Sequence, residues 1–227
     1  MRLALLSADA ELVELASRTL PDEGCVCHHF AQGSALLRAL RRETFDLLVL
    51  DHALPDMAGI RVLSTVRAIV SMQIPVLYVT SLYAERDEIS ALNAGADACI
   101  NRPVDAVVLR ARVAAVLRRA SSTGLEYTDE NAGAFEFDPV ACSVSRNGIT
   151  IQLTARQFRL ALLFYQHVGT TLSREHILDL IWIGETDVNM RSVDTQISRL
   201  RAKLHLAPES GYRLTAVHGR GYRLDRL

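Results

Sequence analysis

The sequence predicts an α/β fold: a doubly wound five-stranded parallel sheet followed by a smaller α+β domain of three helices and a terminal hairpin. Three observations predict it. Within residues 1–119, short apolar runs alternate five times with amphipathic segments. Strands buried on both faces of a parallel sheet read as continuous apolar runs, and the intervening helices cover them. A length of 227 residues suits two domains better than one. Beyond residue 134 the pattern changes to alternating strands flanking three helical stretches.

Taken in order, the apolar runs fall at 3–6, 25–30, 47–50, 76–79 and 98–100, with helical patterns at 9–20, 33–43, 58–70, 85–94 and 104–119. A doubly wound sheet carries its functional groups at the carboxyl ends of the strands. Residues 120–124, Ala-Ser-Ser-Thr-Gly, are small and polar, which places a linker at 120–126 between a domain at 1–119 and one at 127–227. Residues 134–153 alternate apolar and polar about Arg146-Asn147-Gly148, the mark of a hairpin. Thr154 caps a helix over 155–167, and Ser173 caps a second that ends at Trp182. After a loop at 183–188 comes a helix over 191–203, then two alternating strands turning at Gly219.

The composition excludes several classes. No apolar run is long enough to span a bilayer and no leader opens the chain, so a soluble cytoplasmic protein is expected. The net charge is −1, yet residues 191–226 hold eight Arg/Lys against three Asp/Glu. Of the four cysteines, Cys25 and Cys27 alternate onto one face of a strand, and none has zinc-site spacing. Packing explains them; the alternative is a ligand- or redox-sensing first half working through Cys25, Cys27 or Cys99. Ser7, Asp51 and the seven histidines never group at triad or metal spacing, so no enzyme is expected.

The stretch 191–203 is where the basic charge concentrates. Val193, Ile197, Leu200 and Leu204 form one apolar stripe. Asp187 and Asn189 offer caps, and Asp194 suits the positive end of the helix dipole. Thr195, Gln196 and Arg199 lie on the opposite side with the chemistry to read base edges in a major groove. Arg191, Ser192, Arg201 and Lys203 suit phosphates, as does the helix start at Thr171 and Ser173. His218 and Arg220 flank the glycine turn, where a narrow minor groove draws cations.

The first half resembles a response-regulator receiver domain of the CheY type. The residues that carry the likeness are Leu47-Leu48-Val49-Leu50-Asp51, Leu54-Pro55-Asp56-Met57-Ala58-Gly59, the strand ending Thr80-Ser81, and the run from Gly95 to Pro103. The resemblance implies a phosphoacceptor at Asp51, beside Mg²⁺ held by an acidic pair. That pair falls here on Ser7 and Ala8, so weak or absent Mg²⁺ binding is expected, with no cofactor. The family's lysine falls on Arg102 and its aromatic switch on Cys99, while Thr80 matches. Asp9, one place beyond the acidic pair, reads as an N-cap, and Arg102 as a permanent partner for Asp51.

The second half resembles the winged helix-turn-helix of OmpR/PhoB-type regulators, through Leu153-Thr154-Ala155-Arg156-Gln157-Phe158, Ser173-Arg174-Glu175, Trp182, the 191–204 run and Gly219-Arg220-Gly221-Tyr222. The likeness implies double-stranded DNA as partner and a homodimer through the receiver face around 84–119. Arg112 and Asp97 are available there for crossed ion pairs, and Leu109 and Val113 are apolar positions that would serve the face if they do not belong to the receiver core. It also implies contact of the 183–188 loop, with Glu185 and Asp187, to RNA polymerase. The expected function is a sequence-specific transcriptional regulator acting as a dimer without phosphorylation. The alternative is a conventional two-component regulator phosphorylated at Asp51 by a sensor histidine kinase.

Overall fold

The five apolar runs become five parallel strands of one sheet. The computed structural model describes residues 1–20, 25–69, 74–81, 85–122, 135–185 and 188–227. The strands are β1 (Arg2–Leu6), β2 (Val26–Phe30), β3 (Leu47–Asp51), β4 (Val76–Thr80) and β5 (Ala98–Asn101), in the order β2-β1-β3-β4-β5. The helices between and after them are α1 (Ala10–Thr19), α2 (Gly33–Ala39), α3 (Gly59–Ile69), α4 (Glu85–Asn93) and α5 (Ala106–Ser122).

Side chains alternate across a strand, so each strand serves two cores. Leu6, Leu48, Leu50, Val76 and Tyr78 pack with Leu36, Val62, Leu63 and Ala91 from α2, α3 and α4. Leu3, Leu5, Leu47, Val49, Leu77 and Val79 pack with Leu12 and Ala16 of α1 and Leu109, Val113 and Val116 of α5. Leu109 and Val113 are therefore core residues, not the centre of an outward face. Burial on the sheet outweighs the Arg-rich side of α5 in deciding which way they point. The helix also runs on to Ser122, into the stretch read as linker.

Both faces of the sheet are covered, so polar groups collect at the carboxyl edge. The strand order reverses between β1 and β3, and the ends of these neighbours carry Ser7 and Asp51. The loop after β3 returns to α3 through Gly59, whose N–H donates to the His52 carbonyl at 2.9 Å. A Cβ at Gly59 would lie 2.0 Å from the Asp51 carbonyl oxygen. Asp56, in the same loop, accepts from the Gly33 and Ser34 N–H groups at 2.9 Å each and so caps α2, whose own N-cap Gln32 makes no such bond.

The chain divides into two compact units, Met1–Glu126 and Tyr127–Leu227. The second opens with an antiparallel sheet of β6 (Glu136–Asp138), β7 (Ser143–Arg146) and β8 (Ile149–Gln152). The segment read as one hairpin thus holds two turns. Asp138 Oδ1 builds the first by accepting from Val140 and Ala141, and Asn147 and Gly148, both at positive φ, build the second. Three helices follow: α6 (Ala155–Gln166), capped reciprocally by Thr154 and Gln157, α7 (Arg174–Ile181) and α8 (Met190–Lys203). Before α7 the two-residue β9 (Thr171–Leu172) joins the terminal hairpin of β10 (Tyr212–Val217) and β11 (Gly221–Arg226) in the order β10-β11-β9. Gly221, at φ +149°, lets β11 close on β9, because a Cβ there would lie 2.0 Å from the Leu172 oxygen. No helix among the described residues is long and apolar enough to cross a membrane.

Gly59→Ala should lower the stability of the first unit by about 1–3 kcal/mol, because the atom it meets is backbone of a buried strand and cannot turn aside. Urea unfolding followed by circular dichroism measures it; an unchanged midpoint would show that the loop relaxes freely.

Candidate functional site

At the carboxyl edge of the first sheet, Asp51 is 1% exposed and every one of its partners comes from a different segment or neighbouring residue. Ser7 Oγ donates to Asp51 Oδ2 at 2.7 Å, and Arg102 Nη2 donates to the same oxygen at 2.7 Å. His52 Nδ1 donates to Oδ1 at 3.1 Å. The other arm of Arg102, Nη1, pairs with Asp9 Oδ2. Asp9 also does the capping work expected of it, accepting from the Glu11 N–H at 2.9 Å. Its pairing with Arg102 and the part taken by His52 are not visible in the sequence, because neither lies in a spacing pattern. The bond from Arg102 leads in holding the Asp9 carboxyl below its ordinary value. Burial opposes the Arg102 charge, but the two carboxylates outweigh it and raise the guanidinium pKa.

The Mg²⁺ implied by the resemblance does not fit these residues. Such an ion wants several hard oxygen ligands in octahedral array. Here all four oxygens of Asp9 and Asp51 already accept hydrogen bonds, and a guanidinium lies against both carboxylates. Ser7 brings only a hydroxyl, already donated to Asp51, and Ala8 brings no side-chain oxygen. Thr80, fully buried, donates to Asn101 Oδ1 at 2.5 Å. Cys99 is buried at the place of the aromatic switch, its Sγ 3.9 Å from the Glu88 carbonyl. Burial raises the Cys99 thiol to about 11, and burial, with Cys25 nearby, does the same for Cys27. Thiols held protonated in this way are poor nucleophiles, which favours packing over redox sensing.

In the second unit α8 presents its stripe inward: Val193, Ile197 and Leu200 are buried along the helix and Leu204 at its C-cap. Asn189 supplies the N-cap, accepting from Ser192 N; Asp187 lies outside the described residues. Arg191, Thr195, Arg199 and Lys203 are exposed, with Ser192 and Gln196 half-buried. The Thr195 hydroxyl donates to the Arg191 carbonyl at 2.9 Å, which leaves its methyl as the outward group. Arg201 is half-buried, and its Nε donates to the Leu214 carbonyl at 2.9 Å, which ties the end of α8 to β10. Ser173 is fully buried as the α7 N-cap, its hydroxyl accepting from His176 N at 3.1 Å. His218 and Arg220 are exposed at the turn of the hairpin.

A cluster that the sequence reading missed fixes the start of α8. Tyr222 of β11 donates its hydroxyl to Asp194 Oδ1 at 2.7 Å, and Arg174 of α7 donates Nε to the same oxygen at 2.9 Å. The Arg174 guanidinium lies 4.8 Å from the Tyr222 ring centroid. α8 is thus held to α7 and to both strands of the hairpin.

A phosphoacceptor-type aspartate on a doubly wound sheet, followed by an exposed basic helix and a hairpin, defines a response regulator with a DNA-binding output domain. The response regulator receiver domain family matches residues 7–114, and the C-terminal domain of transcriptional regulatory proteins matches 148–224. Transcriptional regulatory protein AfsQ1 of Streptomyces coelicolor is 37% identical over 196 residues, covering 86% of this chain and 85% of that protein. Sensory transduction protein RegX3 of Mycobacterium tuberculosis is 32% identical over 231 residues, covering 99% and 100%. Among solved structures, a CheY-like response regulator receiver domain protein from Methanospirillum hungatei matches at 26% identity and a TM-score of 0.50, over 54% of this chain and 98% of that one. The chain belongs to the OmpR/PhoB-type response regulators, and transcription regulation is its role.

The Asp9–Arg102 pair carries a pH signature. A carboxyl held below its ordinary 3.8 contributes stability above that value and loses it as pH falls through the folded-state pKa. Thermal melting of the wild type should therefore fall more steeply below about pH 4 than that of Asp9→Asn. Parallel acid limbs would show that the pair adds nothing.

Proposed function

We propose that this regulator binds DNA sequence-specifically as a homodimer, and that it does so without a phosphoryl group on Asp51. The observation that carries the reading is the Arg102–Asp51 ion pair at 2.7 Å. Phosphoryl transfer to a carboxylate needs a free oxygen and a metal cation to neutralise the transferring group. At Asp51 both oxygens are engaged and the cation is a side chain that cannot dissociate. Cys99 has no ring to turn inward in response to a phosphate, and the Thr80 hydroxyl is committed to Asn101. A receiver of this kind holds one state, and its dimer needs no modification to form.

The dimer face proposed is that of α4 and α5. Ile89 and Leu92 of α4 and Val107 and Val108 of α5 are exposed, and Glu88 and Arg112 line the same surface. Asp97 Oδ2 accepts from Val76 N at 2.7 Å and Arg67 Nη2 at 2.8 Å, so a crossed ion pair would draw on its other oxygen. On DNA, Thr195, Gln196 and Arg199 read bases, while Arg191, Ser192 and Lys203 hold phosphates and His218 and Arg220 reach the minor groove. Polymerase contact through 183–188 rests on Glu185, which in the free chain pairs with Arg156 at 2.6 Å. Such a regulator works in the cytoplasm beside its DNA. The competing reading is a conventional regulator phosphorylated at Asp51 by a histidine kinase.

Asp51→Asn should bind the operator within a few-fold of wild type in a gel shift, with folding checked by circular dichroism. A loss of tenfold, about 1.4 kcal/mol, together with metal-dependent phosphorylation of the wild type, would establish the competing reading. Val108→Glu, by contrast, should weaken both self-association in sedimentation and DNA binding. On the reading helix, Arg199→Ala should cost about 1–3 kcal/mol on the cognate site and relax sequence preference. Lys203→Ala should weaken all sequences alike and lower the salt slope by about one unit. Equal, sequence-blind losses for both would reduce Arg199 to a phosphate contact.

A further inference from the structure

The carboxyl edge of the sheet holds two carboxylates, one guanidinium and one hydroxyl in direct contact. Arg102 Nη2 lies 2.7 Å from Asp51 Oδ2, Nη1 pairs with Asp9 Oδ2, and Ser7 Oγ is 2.7 Å from Asp51 Oδ2. Two acids this near the same point repel unless a cation sits between them. A divalent ion that keeps part of its water shell and binds through one or two carboxylates could take such a position. Here it is taken by a group on the chain itself. Arg102 is suited to the task because its planar fork reaches both carboxylates at once, where the single point charge of a lysine would meet them less evenly.

We propose that the Arg102 guanidinium is a built-in substitute for a divalent cation, and that its removal uncovers a cation site formed by Asp9, Asp51 and the Ser7 hydroxyl. Wild type then takes up no divalent cation at this edge, since the counter-charge is already covalently present. The strand ends of β1, β3 and β5 are held together by the guanidinium regardless of metal concentration. The inference rests on the phosphate-independent reading and explains its physical origin, but it stands on a different measurement.

The test uses the full chain with Mn²⁺ alone as probe, read by paramagnetic broadening of backbone amide resonances. Wild type should show no saturable broadening at Ser7, Asp9 or Asp51 at millimolar Mn²⁺. Arg102→Met, which keeps the bulk and removes the charge, should show saturable broadening at those three amides and a melting temperature that rises with Mn²⁺. Both effects should vanish in Arg102→Met combined with Asp51→Asn. Arg102→Lys is the second variant, for the case that Arg102→Met folds poorly, and it too should gain Mn²⁺ binding. Saturable broadening centred on Asp51 in the wild type would overturn the proposal. So would folded Arg102→Lys and Arg102→Met proteins that both ignore Mn²⁺. A wild type that ignores Mn²⁺ while Asp51→Asn loses its operator would sink the phosphate-independent reading and leave this one standing.

Discussion

The guanidinium of Arg102 is the contact on which the carboxyl edge of the receiver depends. The two faces of the sheet are filled mainly by aliphatic side chains, and the buried acid Asp51 lies at a strand end. Asp51, 1% exposed, would be very costly if left alone. It is tolerated because Ser7, His52 and Arg102 satisfy it from three directions. Removing one partner of a buried ion pair costs about 3–5 kcal/mol, since the remaining charge is stranded. Arg102 thus supplies the charge that holds Asp9 and Asp51 at one edge, where Ser7 and Ala8 bring no carboxylate.

The sequence shows the architecture clearly where burial is complete. β1, β3 and β4 are buried at every residue, and their apolar runs mark them almost to the end. The stripe on α8 is legible for the same reason, since Val193, Ile197 and Leu200 answer to one core. What escapes is short or distant. β9 has two residues, too few for an alternation to register, and exists only because Gly221 lets β11 approach it. Asp9 and Arg102 are 93 positions apart, and nothing local joins them until the sheet brings β1 and β5 to a common edge. Leu109 and Val113 show the opposite fault: the periodicity of α5 is plain, but not which of its two sides the sheet covers.

In the second unit the same economy governs the reading helix. A helix aimed at a groove must keep its outward face for the nucleic acid and still be held firmly by the rest of the domain. Here the holding is done by polar groups at its ends, Asp194 toward Tyr222 and Arg174, and Arg201 toward the Leu214 carbonyl. The apolar stripe supplies the adhesion between them. Both ends of the helix are therefore tied to the hairpin that carries His218 and Arg220.

That arrangement also resolves an electrostatic difficulty. An unanswered acid on the exposed side of a helix that meets DNA would repel the phosphates of the duplex. Asp194 avoids this because its charge is answered at 2.9 Å by Arg174. Burial works against both charges, but the Tyr222 and Arg174 bonds outweigh it at Asp194, whose pKa falls, and the Asp194 bond outweighs it at Arg174, whose pKa rises. Each charge of the pair is thus favoured by the other. Arg201 is likewise tied back through its Nε to the Leu214 carbonyl at 2.9 Å, while Arg191, Arg199 and Lys203 are the exposed cations of α8.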